Sequence, residues 1–356
     1  MHTYPATALR SATARILEAA GSSPDEARIV ADHLVDANLA GHDSHGVGML
    51  PSYVEHLRSG LFVANQTVRI VNDAGAVLVI DARHGLGQHM VLQALDKGIA
   101  RAKELGACVV AIRESAHVGR IGAYSEYCAA AGLASTHFVN VVDHTPVVAP
   151  FGGSDGRFIT NPFSAALPGP DGPAPLLDMA TSTIAFGKAR VARNKGVPVP
   201  EGTLLDEGGR PTTDPTALID EKKGALTAFG LHKGSGLAII CEVFAGALAG
   251  VRTMQPEHPR RGSIVNNMLS ILMDPAAFGD PAAIAAEAAA FGAYVKASPP
   301  APGVDEVLLP GEPERRSRTE RLAAGIPVDP MTIEQIVAAG RSVGLAEADL
   351  AALLGG

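Results

Sequence analysis

The chain of 356 residues contains no tryptophan and only three cysteines. Cys108, Cys128 and Cys241 are odd in number, far apart and set in apolar surroundings, so we expect reduced thiols rather than a disulfide framework. The sequence has no Cys-x-x-Cys spacing, which removes a common thiolate metal site. Because 47% of the residues are hydrophobic, the chain can instead rely on a large buried core, divided into two or three lobes.

Positive charge and long apolar runs are also scarce. The formal net charge is -8 and no basic stripe is present, so the chain lacks the electrostatic signature of a nucleic-acid-binding protein. The N-terminus lacks the continuous apolar region of a signal peptide and is typical of an amphipathic helix. The longest apolar run, Leu237 to Gly250, is interrupted by Glu242 and is shorter than a membrane span requires. These features predict a cytoplasmic protein without nucleic-acid or membrane partners.

Reactive side chains are concentrated in the stretch S-A-H-V-G-R-I-G-A-Y, Ser115 to Tyr124. It follows a predicted buried strand over 107–112 and precedes a predicted helix over 124–131. His117 can exchange a proton near neutral pH, and Arg120 can hold an anionic group. The alternative is a surface turn in which both side chains are simply solvated.

A second polar segment, G-H-D-S-H-G-V-G, runs from Gly41 to Gly48 between two predicted helices. In one interpretation Asp43 and Ser44 cap the following helix. We favour a functional site, because His42 and His45 accompany them in the same loop.

The segment G-L-G-Q-H-M, which begins at Gly85 after a predicted strand, is similar to a dinucleotide-binding fingerprint. The match fails at two points. Met90 occupies the third glycine position, and no acidic residue ends the next strand until Glu114. We therefore interpret Gly85 and Gly87 as the tight start of a packing helix and do not expect a Rossmann domain.

Two further segments could hold an anion at the start of a helix. The stretch D-M-A-T-S, residues 178–182, precedes a predicted helix over 184–193, which its threonine or serine would cap. Free amides at that helix start, with Lys188 nearby, would suit a phosphate. In the segment H-K-G, Lys233 beside Gly234 could contact a phosphate or carboxylate.

Seven motifs in a fixed order together resemble the malate/L-lactate dehydrogenase family of NAD(P)-dependent oxidoreductases that lack a Rossmann fold. Along the chain they are S-H-G-V, S-A-H-V-G-R-I-G-A-Y, V-A-P-F-G-G, T-N-P, D-M-A-T-S, H-K-G-S-G-L and L-P-G-E-P-E. One such motif would be weak evidence, but the ordered set is specific and spans nearly the whole chain.

The resemblance implies an α/β fold in three parts and a homodimer. Residues 1–70 with 314–356 would form a helical lobe from both termini. Residues 71–130 with 260–313 would form a dimer-interface and substrate lobe, and 131–259 a central mixed-sheet domain that binds NAD or NADP.

The resemblance also implies roles for individual residues. The catalytic group would comprise Asp178 and a proton carrier, either His45 or His117. Substrate would be bound by Ser44, Arg120, Tyr124 and Met49. The cofactor would contact Asp178, Met179, Ala180, Thr181, Ser182, Lys233, Gly234, Gly311 and Glu312. Met49 departs from the family pattern, since relatives commonly carry an arginine there that helps to bind a substrate carboxylate.

These implications predict hydride transfer between nicotinamide and a small 2-hydroxy acid, 2-oxo acid or cyclic imino acid, without a metal ion. A metal-dependent hydrolase or lyase is an alternative, with ligands drawn from His42, Asp43, His45, His84 and His89. A non-catalytic dinucleotide-binding protein is the third hypothesis.

Overall fold

The computed structural model describes residues 2–170, 172 and 174–355. Its α-helices, in chain order, are α1 Ala6–Ala19, α2 Pro24–Leu39, α3 Leu50–Arg58, α4 Gly87–Leu105, α5 Gly122–Ala130, α6 Phe186–Lys195, α7 Thr216–Ile219, α8 His232–Cys241, α9 Pro281–Lys296, α10 Glu312–Ala324, α11 Pro330–Ser342 and α12 Glu347–Leu354. A π-helical segment, Glu242–Gly250, continues α8.

The strands, in chain order, are β1 His2–Tyr4, β2 Arg69–Asp73, β3 Val77–Asp81, β4 Ala107–Ala116, β5 Ala134–Val142, β6 Phe163–Ala166, β7 Leu176–Met179, β8 Leu204–Leu205, β9 Pro211–Thr212, β10 Ala225–Leu226, β11 Val265–Met273 and β12 Ile326–Val328. Seven of them form the central sheet in the order β2-β3-β4-β11-β5-β6-β7. Within this sheet β3 and β4 pair parallel, while the other neighbours are antiparallel. The mixed sheet confirms the predicted non-Rossmann α/β fold.

The two ends of the chain pack together. Strand β1 pairs antiparallel with β12, and α1 contacts α11 and α12. One hydrophobic cluster contains Leu9 and Ile16 near the N-terminus together with Ile336 and Leu350 near the C-terminus. Burial of these apolar side chains is the main force that holds the helical part together.

The centre of the sheet was not predicted from the sequence. Strand β11, residues 265–273, inserts between β4 and β5 and pairs with both, so residues assigned to different predicted domains share one sheet. Val265, at the start of β11, pairs with Ala116 and Val142 at the ends of those strands. The residues that follow β4 and β5 therefore lie at the same edge of the sheet.

The starts of three helices differ in how they are capped. The hydroxyl of Ser23 accepts a hydrogen bond from the Glu26 amide at 3.3 Å, at the start of α2. Helix α6 begins at Phe186, so the predicted cap by the preceding Thr-Ser pair is wrong. At the start of α11 the Asp329 carboxylate accepts the Thr332 amide at 2.9 Å.

Among the described residues, one helix is long and apolar enough to cross a membrane by length and composition, His232–Gly250. It is longer than the run from Leu237 because helical residues extend it towards the N-terminus. Ala245 and Ala249 are buried, and the π-helical segment packs against β4, β5 and β11. Core helices commonly pack in this way, and the cytoplasmic location stays a prediction.

Candidate active site

The sequence S-A-H-V-G-R lies at the end of β4, at the edge of the sheet. The chain turns at Gly119, which has a φ of 74°, a conformation that glycine adopts without steric cost. A Cβ atom there would lie 2.5 Å from Nε2 of His33. The backbone N–H of Arg120 donates to the same nitrogen at 3.0 Å. This contact with α2 fixes the turn and directs the two functional side chains.

His117 lies next to His45, although 72 positions of sequence separate the two rings. Their ring centroids are 5.6 Å apart and the planes are inclined by 21°, a stacked arrangement. Ser44 Oγ lies 2.9 Å from Nδ1 of His45. The structure thus brings together the two histidines that the sequence offered as alternative proton carriers.

A buried ion pair lies beside the histidines. Nη1 of Arg120 donates to Oδ2 of Asp178 at 3.3 Å, and Nη2 donates to Oε2 of Glu126 at 2.7 Å. The Arg120 side chain is only 1% exposed and that of Asp178 only 6%. Both terminal nitrogens donate to carboxylates, so Arg120 is held as a fixed charge, while its buried Nε has no hydrogen-bond partner among the described residues. A substrate-binding role for Arg120 stays a prediction.

Burial shifts the pKa values of the titratable side chains in the site in the direction that favours their neutral forms. It lowers the pKa of His45 to about 4, with help from His42 and Arg120, and takes the pKa of His117 well below its usual value. Burial raises the pKa of Asp178, an effect that Arg120 opposes. Both imidazoles are therefore neutral near pH 7 and can accept a proton.

The three segments assigned to the cofactor meet along β7, one at its start and one just beyond its end. The Leu176 amide donates to the carbonyl of Pro310 at 3.1 Å, which joins the P-G-E loop to this strand. The Phe229 amide donates to the carbonyl of Thr181 at 3.1 Å, which joins the H-K-G segment to the D-M-A-T-S stretch. A Cβ atom on Gly187 would lie 3.3 Å from Ser44, so α6 begins close to the histidine loop.

Individual residues of these segments differ in what they can offer a ligand. Lys233 is exposed, and a Cβ atom on Gly234 would lie 1.9 Å from the Phe229 carbonyl oxygen. The hydroxyl of Thr181 donates to the carbonyls at positions 160 and 161, while that of Ser182 donates to the Ile184 carbonyl. Both hydroxyls hold the loop, so their contribution to a ligand would come through the backbone.

The remaining cofactor candidates border the same region. Met179 and Ala180 are partly buried beyond Asp178. Gly311 precedes α10, and the Glu312 carboxylate binds Lys296 at 2.5 Å and accepts the Leu309 amide at 2.8 Å. In the described residues no side chain caps α6 or α8, but the Lys188 and Lys233 amides already donate to the carbonyls of Ala185 and Gly230. The remaining amides of each first turn could therefore meet an anion. An anionic group could therefore be held here, beside the exposed Lys233.

Two predicted substrate residues have other surroundings. The Tyr124 side chain is completely buried, and its hydroxyl donates to the carbonyl of Val118. Tyr124 thus supports the turn from within the core. Met49 is partly buried and packs against the hydrophobic cluster of the helical part, where apolar surroundings favour an apolar side chain.

The metal-site hypothesis is not supported by the arrangement of its residues. His42 pairs with Glu314, Asp43 with Arg321, His84 with Glu114 and His89 with Glu26. Throughout residues 2–355, leaving aside positions 171 and 173, no group of three or more His, Cys, Asp or Glu side chains could hold a metal ion.

Sequence reasoning missed Tyr53, Gln88 and Glu126. The Tyr53 hydroxyl lies 2.7 Å from His117 Nδ1, and the Gln88 amide donates to that hydroxyl at 2.7 Å. Tyr53 and Gln88 are each part of an ordinary helical pattern, in α3 and α4. Glu126 lies in α5, six residues after Arg120, a separation that is not a helical-neighbour spacing and so did not mark the pair.

Comparison with known proteins places these features in a family. The family model for malate/L-lactate dehydrogenase matches residues 4–337. Hydroxycarboxylate dehydrogenase B of Escherichia coli strain K12 is 45% identical over 353 residues, which cover 99% of this chain and 97% of that protein. L-lactate dehydrogenase of Cupriavidus necator is 42% identical over 315 residues, 88% of this chain and 90% of the relative.

A solved structure agrees with the sequence comparisons. Sulfolactate dehydrogenase from Methanocaldococcus jannaschii superposes with a TM-score of 0.86 at 32% identity, over 98% of this chain and 99% of that one. The similarity therefore extends over both the helical part and the sheet.

Proposed function

The chain belongs to the malate/L-lactate dehydrogenase family, which makes it an oxidoreductase acting on CH–OH groups, and we propose hydride exchange with a nicotinamide dinucleotide. The proposed substrates are small 2-hydroxy acids and their 2-oxo products, with cyclic imino acids as a related class. The observation that best supports this proposal is the stacked pair of His45 and His117 beside the buried ion pair of Arg120 and Asp178.

The histidine pair supplies the proton chemistry that the reaction needs. When a hydride leaves the CH–OH carbon, the hydroxyl loses its proton, and a neutral imidazole can accept it as charge develops. The lowered pKa values of both histidines keep this acceptor available at neutral pH. Ser44 is exposed and would be free to contact the substrate.

The proposed cofactor site combines the D-M-A-T-S, H-K-G and P-G-E segments. Exposed Lys233 would attract a phosphate, and the free amides at the starts of α6 and α8 would add hydrogen-bond donors. When bound, the nicotinamide would supply the hydride acceptor or donor. NAD and NADP are both proposed, since each presents the same reacting ring.

The assay combines both nucleotides with a panel of 2-hydroxy acids, 2-oxo acids and cyclic imines, and follows the absorbance of reduced nicotinamide. Binding is measured separately by calorimetry and by the fluorescence of reduced nicotinamide. The chain has no tryptophan, so tryptophan fluorescence does not contribute to the signal. Turnover of a 2-hydroxy acid is the expected result. Failure to bind either nucleotide would exclude the proposal, and binding without any turnover would favour the non-catalytic hypothesis.

We also propose that the protein is a homodimer. Large apolar side chains are exposed along α8 and the π-helical segment, including Ile240 at 43%, Val243 at 44% and Leu248 at 65%. An exposed apolar face of this kind commonly marks an interface. Light scattering after size-exclusion chromatography should report a dimer for the wild type and a monomer for Leu248→Glu, with Leu105→Glu on α4 as the surface control.

A further inference from the structure

A hydrogen-bonded chain runs from α4 through α3 to the imidazole of His117. The Gln88 amide nitrogen donates to the Tyr53 hydroxyl at 2.7 Å, and that hydroxyl lies 2.7 Å from Nδ1 of His117. Tyr53 is 1% exposed and Gln88 is completely buried. The ring nitrogen Nδ1 therefore faces a polar partner that water does not replace.

The direction of these bonds determines which ring nitrogen carries the proton. The Tyr53 oxygen already accepts from Gln88, so its own hydrogen is free to be donated to Nδ1 of His117. If Nδ1 carried a hydrogen, two donors would face one oxygen, and the buried hydroxyl hydrogen would lack its acceptor. A neutral His117 with its hydrogen on Nε2 gives the Tyr53 hydrogen its acceptor and leaves the Tyr53 oxygen to accept from Gln88.

We infer that Gln88 and Tyr53 are positioning residues that fix His117 as the Nε2–H tautomer, so that His117 donates a hydrogen bond to the substrate oxygen while His45 exchanges the proton. This inference rests on the proposed dehydrogenase function. It assigns different roles to two histidines that the sequence offered as equivalent.

Protonation of His117 would break the chain that holds it. An imidazolium would carry a hydrogen on Nδ1 and would oppose the hydrogen of Tyr53, whose pKa is raised by burial. His45 has no such restraint. It is partly exposed, and its Nδ1 faces Ser44, whose hydroxyl can either donate or accept.

In the oxidation step the substrate C–H bond breaks and releases a hydride, which an oxidised nicotinamide would accept when bound and would thereby be reduced. The substrate O–H bond breaks and its proton goes to the His45 nitrogen that does not face Ser44. The carbonyl that forms accepts a hydrogen bond from Nε2–H of His117, which keeps its own proton throughout.

The first test uses the full protein without cofactor or substrate. In protein labelled with ¹⁵N-histidine, the signals lost in His117→Gln identify His117, and their shifts should report an Nε2–H tautomer at neutral pH. In Tyr53→Phe, which removes the hydroxyl but keeps the ring, the Nδ1 signal should move and the tautomer should become mixed. An Nδ1–H tautomer in the wild type would overturn the inference.

The second test uses side chains that imitate one ring nitrogen at a time. His117→Gln keeps an N–H donor near the position of Nε2 and should lose on the order of tenfold in kcat, against roughly 10²- to 10³-fold for His117→Ala. His45→Gln cannot accept a proton and should lose roughly 10²- to 10⁴-fold, as should His45→Ala. Tyr53→Phe should lower kcat while the dissociation constant for the nucleotide stays near its wild-type value.

The outcomes separate the inference from the proposed function. If His117→Gln is as inactive as His117→Ala while His45→Gln keeps most of its activity, His117 carries the proton and the inference is wrong. If the wild type turns over no substrate in the panel, the proposed function fails, and the ¹⁵N shifts still decide the tautomer. Nucleotide binding by each variant shows that a loss of turnover is not a loss of folding.

Discussion

A Cβ atom on Gly122 would lie 2.4 Å from Oδ2 of Asp178 and 2.6 Å from Nη1 of Arg120. The second glycine of the S-A-H-V-G-R-I-G motif is therefore required by close packing of the carboxylate against the start of α5. The backbone of Gly122 also opposes the rise that burial causes in the pKa of Asp178. The spacing of the motif thus reflects the position of the ion pair.

Gly122→Ala should displace Asp178 and weaken its bond with Arg120. We expect a loss of about 1–3 kcal/mol in the free energy of unfolding, from overpacking, together with a fall in kcat. Urea denaturation and steady-state kinetics measure both. Gly279→Ala is the control, because nothing lies within 4 Å of a Cβ atom there; equal losses in the two variants would contradict the explanation.

Asp178→Asn should destabilise the protein by removing one of the two charges that compensate Arg120. Burial works to lower the pKa of Arg120, but Glu126 and Asp178 outweigh it and hold the guanidinium charged. The expected cost is about 1–3 kcal/mol, since a buried partner is lost and the amide still offers an acceptor. Thermal and urea unfolding provide the measurement.

The matched control for that variant is Asp155→Asn. Asp155 pairs with Arg157 at the surface, where both side chains are more than half exposed. Exposed pairs contribute at most about 1 kcal/mol, so the control should change stability little. A loss at Asp155 as large as that at Asp178 would show that burial is not the deciding factor.

Stability should fall as the pH falls below 6.5, because buried histidines must stay neutral in the folded state. Burial lowers the pKa of His137 from 6.5 to about 3, so the unfolded state binds its proton first. Unfolding therefore becomes easier between these values, by up to about 1.4 kcal/mol per pH unit for this one group. Above pH 6.5 the contribution of His137 is fully present and independent of pH.

His137→Asn should lower the number of protons taken up on unfolding by about one, which reduces the slope of the unfolding free energy against pH. The variant removes the titrating group but keeps a polar side chain towards Ser270 or Ser135. Urea unfolding curves at several pH values between about 4 and 7.5 provide the measurement, because they cover most of the range in which His137 is protonated in the unfolded state and neutral in the folded state. An unchanged slope in the variant would show that His137 does not contribute.

Gly234 and Gly236 form a matched pair in α8. Alanine at 234 would place a Cβ atom 1.9 Å from the Phe229 carbonyl oxygen, whereas alanine at 236 would meet nothing within 4 Å. Gly234→Ala should therefore distort the H-K-G segment and weaken nucleotide binding. Gly236→Ala should bind normally and gain up to about 1 kcal/mol of stability from helix propensity. Calorimetric titration with nucleotide compares them, and equal affinities would argue against a cofactor role for this turn.

Local pattern was sufficient for many elements. The local pattern over 107–112 predicted the start of β4 correctly, and local pattern placed α5 and α6 within two residues of their observed bounds. It failed for β11, because a fully buried central strand has no alternation to distinguish it from other apolar segments. The ordered motifs compensated, since they indicated the family directly.

The sequence by itself determined the helices and strands with clear periodicity, the family and a set of candidate reactive residues. Only the tertiary structure decided what those residues are free to do. In the folded protein Arg120 forms ion pairs with Asp178 and Glu126, and Tyr124 is buried. Gln88 and Tyr53 form a hydrogen-bonded chain to His117. The physical reason is that hydrogen-bond partners and burial arise from contacts between segments far apart in the chain, which local composition and spacing do not specify.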